Sequence, residues 1–264
     1  MISMRRAIAF SLILSVALPL AVFAEDPASI MLTILHDNYA FDDALRAAWG
    51  FACLVEGLEK TILFDTGGSQ HALCANMEIL GIDGSVFDAI VLSHIHEDHV
   101  GGFPCLLPLS HETSLFVPAS FPPHQRSRFE VPNATITWVD EPTPICKGAM
   151  TTGEVNGVVI EQALVLQASS GLVIISGCAH PGIVRIVEAA QALFPEETID
   201  LVLGGFHLLR SSEIALQRIA SELLALGVQR VAPTHCSGDL TRQVFRQIFG
   251  TDYVEAGVGL VLEI

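Results

Sequence analysis

The chain has 264 residues, with 29 acidic against 13 basic side chains and a formal charge of −16. A surface this acidic repels phosphate backbones, which excludes nucleic acid as an expected partner and leaves a small-molecule substrate. The length suits one large α/β domain.

Met4-Arg5-Arg6 is a short basic start, Ala7 to Val22 is an almost unbroken apolar run, and Val22-Phe23-Ala24 precedes an abrupt change to Glu25-Asp26-Pro27. This is the pattern of a secretory signal peptide over 1–24. A retained membrane anchor is the other reading, but the run is short for a span. Residues 25–264 are then expected to form a soluble domain, periplasmic or secreted, with no stable membrane anchor. Removing Arg5 and Arg6 makes it more acidic still.

Short apolar runs predict strands at 31–35, 51–55 and 61–64, the last ending at Asp65-Thr66-Gly67-Gly68. A helix is expected over about 70–80, then a buried strand at 89–92. Residues 103–150 are rich in proline and phenylalanine, and predict irregular loop with two short strands, 114–117 and 134–138. The aromatics Phe116, Phe121, Phe129 and Trp138 could line a substrate entrance there or simply pack. Strands at 157–167 and 171–175, a helix over 183–193 and a strand at 199–203 follow. A helix over 211–226, capped by Ser211 or Ser212, comes next. A strand at 230–232, a helix at 239–249 and a closing strand at 258–264 complete the alternation, which suggests a layered sandwich with sheets inside and helices outside. Of the six cysteines, Cys105 and Cys146 form a possible disulfide bracketing the middle insertion, and Cys178 and Cys236 stand beside histidines.

The most informative run is Ser93-His94-Ile95-His96-Glu97-Asp98-His99-Val100-Gly101-Gly102, with three of the ten histidines in six positions. Imidazole and carboxylate are ligands for zinc, iron or manganese. Residues two apart in extended chain share a side, so His94 and His96 can grip one ion. Asp98 and His99 lie past a bend and can face a second, with the glycine pair letting the backbone crowd close. His180, His207 and His235 each follow an apolar strand, the position where catalytic residues collect in α/β folds. His36, His71, His111 and His124 lack this setting and read as ordinary.

The run His94-x-His96-x-Asp98-His99, preceded by Phe64-Asp65-Thr66-Gly67, resembles the metallo-β-lactamase superfamily. Ser176-Gly177-Cys178-Ala179-His180-Pro181-Gly182-Ile183, Gly204-Gly205-Phe206-His207-Leu208 and Pro233-Thr234-His235-Cys236-Ser237-Gly238 resemble its dihydropterin synthase-like subgroup more closely. That subgroup is also labelled 7,8-dihydropterin-6-methyl-4-(β-D-ribofuranosyl)aminobenzene-5'-phosphate synthase-like.

The resemblance implies a four-layer αββα sandwich with one or two divalent ions, zinc first and manganese or iron as alternatives. His94, His96 and His180 would hold the first ion, and Asp98, His99 and His235 the second. Asp65 would steady a ligand histidine from behind, and Cys178 is likewise expected behind the ligands. Many members carry a bridging aspartate where this chain has Cys178, so Glu161 or Cys178 is the expected substitute. His207 fits a substrate-facing acid or a further ligand.

The expected activity is that of an exported metal-dependent hydrolase, using metal-bound hydroxide on a small-molecule ester, lactone, amide or phosphoester. Asp98 would fix the nucleophile, and His207 would stabilise the oxyanion or protonate the leaving group. A non-hydrolytic iron redox protein or metal-binding module on the same fold is the competing reading.

Overall fold

Apolar runs of three to seven residues assemble into two sheets that face each other. The computed structural model describes residues 29–264, so the expected signal peptide at 1–24 lies outside the described residues. The first half runs β1 (Met31–His36), β2 (Ala52–Glu56), β3 (Ile62–Phe64), α1 (Gln70–Leu80), β4 (Ala89–Val91), α2 (Glu97–Val100), β5 (Thr113–Pro118), α3 (Pro123–Arg126) and β6 (Ala134–Val139). The second half runs β7 (Thr143–Cys146), β8 (Ala149–Thr151), β9 (Leu164–Ala168), β10 (Gly171–Ser176), α4 (Ile183–Leu193), β11 (Ile199–Gly205), α5 (Glu213–Ala225), β12 (Val228–Thr234), α6 (Asp239–Phe249) and β13 (Val261–Glu263).

The seven-stranded sheet has the order β13-β1-β2-β3-β4-β5-β6 and the six-stranded sheet β12-β11-β10-β9-β8-β7. Strands β3 to β6 pair in parallel, as do β10, β11 and β12. Parallel neighbours leave their carboxyl ends on one edge. The chain therefore delivers the segments after β3 and β4 to one rim of the first sheet, and those after β10, β11 and β12 to one rim of the second.

Phe51, Phe64, Val91, Leu164, Val173 and Leu201 fill the space between the sheets. On the far side of the second sheet, Ile186 of α4, Leu216 and Leu223 of α5 and Phe245 of α6 cover Ile174 and Val202. The first sheet is covered by Leu73 and Met77 of α1 and by the segment containing Phe103, Phe121 and Phe129. These are the αββα layers that the sequence motifs imply. Helix α1 spans the predicted residues because its ends are marked: Ser69 accepts a hydrogen bond from the Ala72 amide, and Gly81 closes it in the left-handed conformation. Ser212, rather than Ser211, caps α5.

Several expectations change. Residues 143–151, expected to be loop, form the β7–β8 hairpin at the edge of the second sheet. The strand expected at 157–167 is confined to Leu164–Ala168, and the closing strand to Val261–Glu263. Phe116, Phe121 and Phe129 are buried and pack in the core rather than lining an entrance. The disulfide joins Cys74 of α1 to Cys105, with Cα atoms 5.6 Å apart, and Cys146 is a free thiol. Cys105 sits against α1 outside the first sheet, while Cys146 belongs to β7 of the second, so the expected Cys105–Cys146 bridge is not made.

Candidate metal centre

The predicted site histidines converge from both sheets. The turn after β4 carries His94 to His99, and those after β10, β11 and β12 carry His180, His207 and His235. Among the described residues, five non-glycine residues have positive φ; three of them (Ala179, His207 and His235) lie at these strand ends and a fourth, Asp65, just after β3. Such backbone costs about 1–3 kcal/mol per residue and gathers where a side chain must be aimed. Two glycines are required on steric grounds. A Cβ on Gly102 would stand 1.8 Å from the Thr66 carbonyl oxygen, and one on Gly177 would stand 2.1 Å from Ser93 Oγ.

Ligand-type atoms form two adjoining groups. His94 Nε2 lies 3.2 Å from His96 Nδ1, which lies 3.1 Å from His180 Nε2. In the second group Asp98, His99, Cys178 and His235 bring their ligand atoms within 4.8 Å of one another. His235 Nε2 is 3.2 Å from Asp98 Oδ2, and His99 Nε2 is 3.1 Å from Cys178 Sγ. Cys178 also groups with His180 and His207, so its thiol stands at the junction of the two sets. The His207 ring lies 4.2 Å from that of His180 and is exposed.

Hydrogen bonds behind the rings fix which nitrogen faces inward. The Ser93 hydroxyl gives its one proton to Asp65 Oδ2 at 2.7 Å, so it must accept from His94 Nδ1 at 2.9 Å, leaving His94 Nε2 without a proton when neutral. Asp65 Oδ2 also accepts from His99 Nδ1 at 2.7 Å, and Asp65 Oδ1 from the Ser93 amide. Asn38 Oδ1 accepts from His235 Nδ1 at 2.9 Å. His235 Nε2 is left buried without a hydrogen-bond partner.

Electrostatics agree. Burial, reinforced by neighbouring imidazoles, pushes His94 well below its ordinary pKa and His180 down to about 3. Burial would lower His99 too, but Asp65 outweighs it and holds its pKa at about 9. An ion taking His99 Nε2 would displace that proton. Burial would raise Asp98, yet the adjoining His235 and His99 rings keep it well below the usual carboxylate range. Inward-facing imidazole lone pairs, one carboxylate, one thiol and an orphaned buried nitrogen fit a divalent cation. Asp65→Asn is expected to weaken metal affinity about 10–100-fold, read by chelator competition on protein shown to be folded by circular dichroism.

The structure thus brings together His94, His96, Asp98, His99, His180, His207 and His235, and places Asp65 behind two of them. Cys178, expected behind the ligands or as a bridging substitute, has its thiol among them. Glu161 does not face them: its carboxylate accepts the backbone amides of Cys178, Ala179 and His180 at 2.8–2.9 Å.

Sequence reasoning missed three neighbours. Trp49 donates from Nε1 to Asp98 Oδ2 at 2.9 Å and stands 4.7 Å from the His235 ring. Asn38 fixes the His235 tautomer. His36, read as ordinary, is fully buried against Gly67, and burial lowers its pKa to about 4. The Asp65-Thr66-Gly67-Gly68 turn marked that neighbourhood, but no spacing tied these three residues to it.

The sequence profile of the metallo-beta-lactamase superfamily matches residues 50–235. A 7,8-dihydropterin-6-methyl-4-(beta-D-ribofuranosyl)-aminobenzene-5'-phosphate synthase of Methanocaldococcus jannaschii is 26% identical over 279 aligned residues, covering 88% of this chain and 95% of that protein. Among solved structures, Tm1679, a metal-dependent hydrolase of the beta-lactamase superfamily, is similar with a TM-score of 0.74 and 28% identity, covering 89% of this chain and 99% of its own. The metallo-beta-lactamase fold protein YhfI of Bacillus subtilis shares the fold with a TM-score of 0.65 at 17% identity, covering 89% of this chain and 99% of its own.

Proposed function

The chain belongs to the metallo-beta-lactamase superfamily, and on that premise we propose that it is an exported metal-dependent hydrolase of a small-molecule ester, lactone, amide or phosphoester. The observation that carries this reading is the double ligand cluster, in which imidazole nitrogens, the Cys178 thiol and the Asp98 carboxylate face one another at the rim of the sheets. His94, His96 and His180 would hold one ion, and Asp98, His99, Cys178 and His235 a second. Zinc suits this donor set best, with manganese or iron as alternatives. A bound ion supplies Lewis acidity and lowers the pKa of water from about 15.7 to about 7.

The chain's own groups do the rest. Asp98, fixed by Trp49 and ionised, orients the attacking water and accepts its proton. Hydrogen bonding with Cys236 raises the His207 pKa, so His207 is the group suited to protonating the departing oxygen or nitrogen. The scissile bond breaks as the water oxygen bonds to the carbonyl or phosphoryl centre.

Export is supported by the basic-apolar start of the chain and by the Cys74–Cys105 disulfide, a bond favoured in oxidising compartments. No described helix is long and apolar enough to cross a membrane. The acidic charge argues against nucleic acid as substrate.

The test is a panel of aryl phosphodiesters, lactones and β-lactams incubated with the purified protein and zinc, manganese or iron. Metal-dependent turnover of at least one class is expected. Absence of turnover throughout, or full activity after chelation, would overturn the proposal. Cobalt-loaded protein is also expected to show near-ultraviolet thiolate-to-metal absorption that Cys178→Ser removes. An unchanged spectrum would place the thiol outside the coordination.

The thiols of Cys178 and Cys236 favour a second reading, an iron redox or metal-binding protein that does not hydrolyse. Elemental analysis with a visible spectrum separates the two: colour from iron favours redox chemistry, and colourless zinc or manganese favours hydrolysis.

A further inference from the structure

On the solvent side of His207 lies a cavity of about 430 Å³ lined by Trp49, His207, Leu209, Arg210, Ser211 and Cys236. Two large apolar side chains stand exposed in its wall. Trp49 is 50% and Leu209 56% exposed. The indole is nevertheless held in place, by its hydrogen bond to Asp98 and its contact with the His235 ring. A rigid, exposed aromatic face beside a reactive centre is suited to a flat apolar ligand group.

The cavity also contains a cation that the rest of the molecule leaves free. Among the described residues Arg128, Arg218, Arg230, Arg242 and Arg246 each meet a carboxylate, whereas Arg46, Lys60, Arg126, Lys147 and Arg185 meet none but lie outside this cavity. Arg210 is exposed and pairs with no carboxylate among the described residues. No acidic side chain lines the cavity with it. In a chain of formal charge −16, an unpaired arginine beside the ligand cluster is a local reversal of sign. It favours an anion in this cavity, whereas Glu97 and Asp98 line a separate pocket that also borders Trp49.

We propose that this cavity is a specificity subsite for a flat apolar group ending in one anion, with the ring on Trp49 and Leu209 and the charge on Arg210. The Ser211 hydroxyl beside Arg210 offers a further donor to that anion. The subsite rests on the hydrolytic reading only for the position of the scissile bond, next to Asp98 and His207. Binding itself does not depend on turnover.

Two measurements on the metal-loaded protein separate the claims. Titration calorimetry with 2-naphthoate and the neutral 2-naphthamide reads the subsite alone. The carboxylate is expected to bind about fivefold tighter than the amide in the wild type, and more weakly as salt rises. In Arg210→Gln that advantage should shrink to within about twofold, with naphthamide affinity unchanged, and Arg210→Lys should restore part of it.

Aryl esters with and without a remote carboxylate then read the subsite in turnover, as a rise in KM for the charged ester in Arg210→Gln with kcat held. A carboxylate preference that persists in Arg210→Gln, or is missing from the wild type, overturns the subsite. If neither ester, nor any member of the hydrolase panel, is turned over by any variant while the binding preference follows Arg210, the hydrolytic reading fails and the subsite stands.

Discussion

His96→Ala is expected to abolish metal-dependent turnover, lowering kcat/KM by about 10³-fold or more. That loss corresponds to about 4 kcal/mol of transition-state stabilisation, the scale of a Lewis-acid contribution. The argument is geometric. His96 Nδ1 lies 3.2 Å from His94 Nε2 and 3.1 Å from His180 Nε2, so it is the middle member of its ligand group. Without it, two imidazoles remain where three held the ion.

The same substitution should barely affect folding. His96 precedes α2 but makes no side-chain cap bond, and among the described residues its ring's only hydrogen-bond contacts are the two other histidines. Metal content by elemental analysis should therefore fall while the thermal midpoint of the metal-free protein stays put. Activity retained in the variant, or in metal-free wild type, would remove His96 from the reaction.

Much of this site was legible in the sequence because its ligands sit where apolar strands stop. His94 follows Ala89-Ile90-Val91-Leu92, and His180, His207 and His235 each follow a run of the same kind. Strand, turn and ligand can be read locally at each of these places. What could not be read was which strands become neighbours. Residues 143–151 hold proline and too few residues to show a strand period, and they pair only because β9 offers an edge to β8.

The same limit hid the partners of the ligands. Asn38 reaches His235 across 197 positions, and Trp49 reaches Asp98 across 49. The disulfide shows it again: bracketing an insertion suggested Cys105 with Cys146, whereas packing of the Phe103–Leu106 turn on α1 selects Cys74. Local periodicity specifies which element a residue occupies. Only the packed sheets specify which element lies against it.

Glu161→Ala is expected to lower stability by about 3–6 kcal/mol, because it strands two buried amides and a part-buried one, at about 1–3 kcal/mol for each buried group and less for the third. Glu161 Oε1 accepts the Cys178 amide at 2.8 Å and the Ala179 amide at 2.9 Å, and Oε2 accepts that of His180 at 2.9 Å. The side chain is fully buried, so water cannot replace it. Burial pushes its pKa up, and the three N–H donors counter that shift. The turn it holds has Ala179 at a φ of 58°, a conformation that needs outside support. For a domain of this size the midpoint should fall by about 10 °C or more in a thermal melt. A shift within about 1 °C would mean the turn is held by other contacts.

The outcome also discriminates between two roles for this carboxylate. Were Glu161 a bridge between ions, Glu161→Gln would lose metal from a protein that melts normally. As the brace of the turn bearing Cys178 and His180, it should lose stability and metal affinity together. Glu161→Gln should then fall between wild type and alanine, since the amide keeps an accepting oxygen but turns an N–H toward a backbone donor.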